Sequence, residues 1–294
     1  MKTYLDCYPC LLTQALTAAR IAGAGAEQQK KIMDEVAKML PELPSEQSPP
    51  ENALPIYRLI NKISGNRDPY AGEKEADNRA ALDIYDYLIE QLEASEDPLL
   101  TGVEMAISGN IIDHGTAAHF DLKHEVRLLL EQEHKAIQRE EGRLFELARL
   151  RTALSEAKEI LYLGDNAGEI VFDKAFIRTL RKLYPEITIR FAVRDRPIIN
   201  DATLEDARLV GMEEVCEVIS SGCPTPGTVL TYASSSFMDC MEDADLIISK
   251  GQGNFEALSG SGYPIFYLLR LKCPVVAEYL NASLGDVCLK AERE

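Results

Sequence analysis

The 294-residue sequence has no long apolar run, a shortage of positive charge and only four histidines. No stretch approaches the roughly 18 apolar residues that cross a bilayer. The opening MKTYLDCYPC has one early lysine but neither an apolar core nor a small-residue cleavage site. It does not read as a signal peptide, and the expected setting is the cytoplasm without membrane contact. Lysine and arginine number 31 against 48 acidic residues, a net charge of −17. Such a surplus repels phosphodiester backbones and argues against nucleic acid as a partner. A small phosphorylated ligand stays open, because a bound divalent ion can invert the local field. His114, His119, His124 and His134 follow one another at steps that keep no single helical face, which reads as surface or packing. G-x-G-x-x-G, Walker A and G-x-S-x-G sequences are all missing, so dinucleotide, P-loop and serine-hydrolase readings lack support. The seven cysteines are an odd, scattered set, as expected of reduced thiols.

What is present divides near residue 155. The balance of 46% hydrophobic and 27% charged residues is that of a globular protein. Residues 1–155 read as a helical domain. Leu11, Leu12, Ala15, Leu16 and Ala19, then Ile32 and Val36, recur at helical spacing. Pro41 to Pro55 is so rich in Pro and Ser that a loop is expected, followed by helix over Ile56–Ile63. One long amphipathic pattern covers 73–94, another helix Leu99–Ser108, and a charged helix His119–Leu154. From 156 to 294 short apolar runs alternate with helices. The runs are Ile160–Leu163, Ile187–Val193, Val215–Ile219, Leu246–Ser249 and Val275–Ala277; helices are expected near 170–183, 203–210, 231–243 and 254–260. This βαβ rhythm predicts an α/β domain with a mostly parallel, Rossmann-like sheet covered by helices.

The ends of three runs carry a consistent chemistry. After Ile160–Leu163 come Asp165, Asn166 and Glu169; after Ile187–Val193 come Arg194, Asp195, Arg196, Asn200 and Asp201. After Leu246–Ser249 comes KGQGNFE, with Lys250, Gly251, Gly253, Asn254 and Glu256. In an open α/β sheet these loops converge on the edge where ligands bind. Asp165, Asn166 and Asp201 offer hard oxygens of the kind magnesium and manganese prefer. Lys250 is a point charge suited to a phosphoryl oxygen, although a solvated strand-end lysine is the commoner situation. The helix start after Gly168 adds a favourable dipole for an anion. A metal, a lysine and a helix end are recurring equipment for phosphoryl transfer.

GDNAGE, NDAT (Asn200 to Thr203) and KGQGNFE, with the early CxxC and GNIID (Gly109 to Asp113), resemble the metal-dependent damage-control phosphatases, especially the subfamily with an N-terminal CxxC. The resemblance spans nearly the whole chain, with motifs in order. It implies a three-layer α/β/α sandwich plus an N-terminal helical domain, and hydrolysis of phosphate monoesters of small, often damaged metabolites such as nucleotides or sugar phosphates. The family's metal triad falls on Asp165, Asn166 and Asp201, and its phosphate-binding lysine on Lys250. Manganese or nickel is the implied cofactor, with magnesium and cobalt as alternatives. The RTxK signature of the carboxyl-methyltransferase-like branch is absent, since Arg178-Thr179 precede Leu180-Arg181; this argues against protein methylation.

Around this set, Asp165 or Glu169 is expected to orient the attacking water. Arg194, Asn200, Gly251 and Asn254, with Asn110 and Asp113 from GNIID, are expected on the substrate side. An aspartyl-phosphate on Asp165 is disfavoured, because DNAG lacks the second Asp of the DxD type. Asp173, inside the helix, reads as surface. Cys7 and Cys10 leave three readings open: a redox pair, half a metal site, or small buried hydrophobes. Ser234, Ser235 and Ser236 offer hydroxyls but no nucleophile elbow. The rival functions are a non-catalytic phosphometabolite-binding protein, a redox-regulated interaction protein and a small-molecule methyltransferase. The sequence leaves the oligomeric state open.

Overall fold

The computed structural model describes residues 1–109 and 143–292, with positions 123, 124, 127 and 128 between them. Asn110 and Asp113 lie outside the described residues, as do His114, His119 and His134. Six strands form one sheet: β1 Glu159–Leu163, β2 Thr188–Val193, β3 Glu217–Ser220, β4 Leu246–Lys250, β5 Ile265–Arg270 and β6 Val287–Ala291. Their order is β3-β2-β1-β4-β5-β6, parallel throughout except for β6, which runs antiparallel to β5.

The strand pleat sorts side chains onto two faces. Ile160, Tyr162, Phe191, Ile248 and Leu268 point to one apolar layer, while Leu161, Leu163, Ile247 and Tyr267 point to the other. The first layer is filled by helices α4 (Ala71–Leu82), α5 (Tyr85–Ala94), α6 (Pro98–Ser108), α7 (Leu147–Glu156), α8 (Glu169–Leu183) and α9 (Leu204–Leu209). The second takes α10 (Ser235–Asp243), α11 (Gln252–Leu258) and α12 (Pro274–Tyr279). The result is a three-layer α/β/α sandwich. The helices before residue 155 do not stand apart from it: Leu99, Val103 and Ile107 of α6 share one core with Phe172 and Phe176 of α8. A third core joins α1 (Cys7–Ile21), α2 (Ala26–Met39) and α3 (Pro49–Ser64), and Ile198 from the loop after β2 packs into it.

Several elements differ from the sequence expectation for identifiable reasons. The second half of the Pro-rich stretch is helical, because Ser48 caps α3 by accepting from the Glu51 N–H and Pro49 and Pro50 occupy its first turn, where no N–H is required. The pattern over 73–94 is two helices, broken at Asp83-Ile84. Val275–Ala277 is helix rather than strand: Pro274 sits at its first position and fixes a helical φ. Strands β5 and β6, the latter at the sheet edge, take its place. The expected His119–Leu154 helix is interrupted: residues 143–146 form a turn and a bridge, Phe145 pairing with Leu289, and helix is described again only at α7. Among the described residues no helix is long and apolar enough to cross a membrane.

Gly102 sets how closely α6 approaches α8, for a Cβ there would run into the buried ring of Phe176. Gly102→Ala should therefore lower stability by about 1–3 kcal/mol, the usual cost of overpacking, although Ala is the better helix former. Urea unfolding measures this; an unchanged or raised midpoint would contradict the packing described.

Candidate functional site

β1 and β4 are neighbours at the position where the sheet order reverses, with β2 leading away on one side and β5 on the other. Strands that diverge this way leave a crevice beyond their carboxyl ends. The loop after β1 carries Asp165 and Asn166, and the loop after β2 folds back across it. The Ala167 N–H donates to the Asn200 carbonyl (2.9 Å), and the Ala202 N–H to the Asp165 carbonyl (2.8 Å). Asn166 and Asp201 form an isolated antiparallel bridge. These backbone bonds bring Asp165, Asn166 and Asp201 together from separate strand ends. The Asn166 amide lies 3.1 Å from Glu169 Oε1 and 3.4 Å from Asp165 Oδ2.

Above them is a cavity of about 600 Å³. Asp165, Asn166, Glu169, Asn200, Asp201, Lys250 and Gly251 all line it. α1 contributes Cys7, Cys10, Leu11 and Gln14 to the opposite wall, and α3 contributes Pro49, Pro50 and Ala53. Gly251 has φ +80°, and a Cβ there would strike the Asp165 carboxylate, so no other residue fits.

Two residues expected on the substrate side are placed behind the wall. Arg194 is 2% exposed, donating to Asp201 Oδ2 (2.6 Å), Thr228 Oγ1 (2.8 Å) and Asn254 Oδ1 (2.9 Å). Asn254 spends its own amide on the Gly164 and Lys250 carbonyls (3.2 and 2.8 Å). Neither lines the cavity; Arg194 holds Asp201, and Asn254 ties the β1 and β4 loops together. Ser234 is likewise occupied, as the cap of α10. The backbone donors at the start of α8 are also used: the Gly168 N–H reaches Asn78 Oδ1 (2.7 Å) and the Ile170 N–H the Asn166 carbonyl (3.3 Å).

Asp173 corrects the sequence reading most sharply. It is fully buried, not on the surface. Its Oδ1 accepts from Lys250 Nζ (2.8 Å) and from the Tyr162 hydroxyl (2.7 Å), while Oδ2 has no partner. Glu169 Oε2 stands 3.6 Å from the same ammonium. Burial opposes the Lys250 charge, but Asp173 and Glu169 outweigh it and hold the pKa above the ordinary lysine value. The cavity therefore contains a fixed ammonium.

Asp165, Glu169, Asp173 and Asp201 face Lys250 and Arg194, four acidic groups against two cations. Lys74 acts on Asp201 only through space, being paired with Asp68 and Asp206 at 3.2 and 3.3 Å. Burial, then Glu169 and Asp201, push Asp165 well above the usual carboxylate range. Among the described residues no three His, Cys, Asp or Glu side chains form a ready-made metal cluster. The expected donors are instead two carboxylates and an amide, hard oxygens with a charge deficit that one divalent cation would cancel. The residues fit such an ion.

Other contributors lie where sequence gives little signal. Asn78 of α4 holds both Gly168 and Asp206 (Nδ2 to Oδ1, 3.0 Å) across a separation of 90 residues or more. Tyr57 donates to Gln14 Oε1 (3.2 Å), and Gln14 to Cys10 Sγ (3.3 Å), along the helical wall. Desolvation raises both the Cys7 and Cys10 thiols, so neither is poised as a thiolate.

The family described as the damage-control phosphatase ARMT1-like domain matches residues 3–288. This chain belongs to that family. A damage-control phosphatase of Archaeoglobus fulgidus is 34% identical over 296 residues, covering 99% of both sequences. A damage-control phosphatase of Pyrococcus horikoshii is 33% identical, covering 99% of this chain and 98% of the relative. The crystal structure of a DUF89 family protein from Pyrococcus horikoshii superposes with a TM-score of 0.88 at 30% identity, covering 100% of each chain.

Two outcomes follow from the site's charges. Asp173→Ala leaves a buried ammonium with Glu169 at 3.6 Å as its ion-pair partner among the described residues, and should cost about 3 kcal/mol of unfolding free energy. A loss under about 0.5 kcal/mol in urea unfolding would mean that the ion pair does not hold the site. Glu256, also on the cavity wall, is pushed by burial up to about 7, against Gln252 and the Met1 amino group. Its folded pKa exceeds the unfolded one, so ionising it costs stability that is lost as pH rises between the two values. Glu256→Gln should therefore melt higher than the parent chain at pH 8 and match it at pH 5. An equal difference at both pH values would refute the shift.

Proposed function

We propose that this protein is a metal-dependent phosphatase acting on phosphate monoesters of small metabolites, damaged or side-product compounds among them. The carrying observation is the unbalanced charge at the sheet's reversal point: four carboxylates around two fixed cations, open to a cavity of about 600 Å³. A cavity of that size suits a metabolite rather than a bare ion. The family membership and the names of two relatives support the same reading.

Asp165, Asn166 and Asp201 would hold the ion, with manganese or nickel preferred and magnesium or cobalt as alternatives. When bound, it would polarise the phosphoryl group and lower the pKa of a water molecule. Lys250 neutralises charge on the phosphoryl oxygens, its position set by Asp173 and Glu169. Burial raises the Asp201 pKa, and Arg194 offsets part of that rise while keeping the carboxylate aimed. Glu169 lies beside Asn166 and Lys250, where it can accept a proton from an attacking water. The α1 and α3 wall screens the reacting atoms from bulk water and strengthens each of these electrostatic contacts. Asn200 and Gly251 contact the substrate side of the same space.

Asp165→Ala and Asp201→Ala should each lower hydrolysis of an aryl phosphate by roughly a hundredfold or more, on the scale of losing one preorganised charge contact. Chelation should abolish the activity and added manganese or nickel restore it. Retained hydrolysis in either variant would remove the assignment. Tight binding of phosphorylated compounds without phosphate release would instead favour a non-catalytic binding protein.

A further inference from the structure

The strand-end run Arg194-Asp195-Arg196 divides in the structure. Arg194 turns inward to Asp201, whereas Arg196 stays outside with 64% of its side chain exposed and faces a second groove. This groove has a volume of about 490 Å³. Leu54, Tyr57 and Ile198, all buried, form its floor. Its rim carries three arginines from two parts of the chain: Arg58 on α3, Arg67 just beyond α3, and Arg196 after β2. Arg196 pairs with Asp195 (2.8 Å); Arg58 and Arg67 have no ion-pair partner among the described residues. Three guanidinium groups against one carboxylate leave this groove positive in a chain of net charge −17.

We propose that the groove is a second anion site that takes a small phosphorylated metabolite through Arg58, Arg67 and Arg196. Guanidinium forks match phosphate oxygens in pairs, and arginine is weakly hydrated enough to give up water for such a contact. The volume lies in the range of small-molecule pockets. A bare inorganic anion would leave the apolar floor unused, so the ligand carries an organic group over Leu54, Tyr57 and Ile198. A nucleic acid is a poor occupant, because the strongly acidic remainder of the chain repels an extended polyanion. The two cavities share walls without merging. Ile198 floors the groove, while Ile199, at φ +47°, leads into Asn200 and Asp201 of the catalytic cavity. The Tyr57 ring faces the groove and its hydroxyl reaches Gln14 on the catalytic wall. This site is independent of the phosphatase reading.

Calorimetric titration of the full chain with ADP and with inorganic pyrophosphate, in chelator so that no turnover occurs, tests the proposal. One saturable site per chain is expected, tighter for ADP than for pyrophosphate because only ADP covers the floor. Arg58→Ala/Arg67→Ala, two exposed substitutions, should weaken both ligands by about tenfold or more, the scale of losing charge-assisted contacts. The double variant should hydrolyse an aryl phosphate at the parent rate. Unchanged ADP binding in the double variant, or no saturable binding by the parent chain, overturns the site. So does binding that vanishes at about 0.15 M salt, which marks unspecific attraction. Loss of hydrolysis together with binding would merge the groove with the catalytic cavity and overturn a separate site. Failure of the parent chain to hydrolyse any phosphate ester bears on the catalytic reading alone.

Discussion

Two buried cations, each fixed by a carboxylate, organise this protein. Lys250 is pinned to Asp173 and Arg194 to Asp201, with ammonium and guanidinium both about 2% exposed. A lone charge in such surroundings is costly, so each pair constrains its neighbours to complete the pairing. Tyr162 near the end of β1 turns its hydroxyl to Asp173, and Asn254 and Thr228 close around Arg194. Strands β1, β2 and β4 are thereby tied at their carboxyl ends by polar contacts, as their flanks are tied by apolar ones. Asp165 and Glu169 line the cavity beside Asp201, Glu169 also within reach of the Lys250 ammonium.

The helices before the sheet complete this arrangement. Asn78 satisfies the Gly168 N–H, and Lys74 with Asn78 holds Asp206, whose carboxylate in turn caps the helix after Asp201. α1 and α3 supply the wall that turns an open crevice into a cavity. Sheet and helical region therefore share one cavity, with the strand-end loops on one side and cover on the other.

The centre of this design was readable in ILYLGDNAGEIVFD because period and punctuation agree there. An apolar run ends at Gly164, polar oxygens follow, and a helix begins; that succession forces Asp165 and Asn166 to a strand end. Asp201 and Lys250 were legible for the same reason. Asp173 was not, since a carboxylate within an amphipathic helix ordinarily faces water and nothing local reports that Lys250 will lie opposite. Arg194 and Asn254 were found but misplaced: spacing puts a residue at a strand end without saying whether it turns inward. Asn78 was out of reach, its contacts being entirely long-range. Val275–Ala277 shows the limit of short apolar runs, where one preceding proline decides between strand and helix.

The bond from Asn78 to Gly168 bears on modularity. Folds of this architecture are readily pictured as a catalytic sheet with an optional cap, interchangeable between relatives. Here the loop that carries Asp165 and Asn166 has one of its backbone donors satisfied by the supposed cap. Exchanging the helical region for another of similar shape would leave that amide dry and unbonded beneath the site. The helical region is thus better regarded as part of the frame that holds the β1 loop, and any swap of it must carry an Asn78 equivalent along.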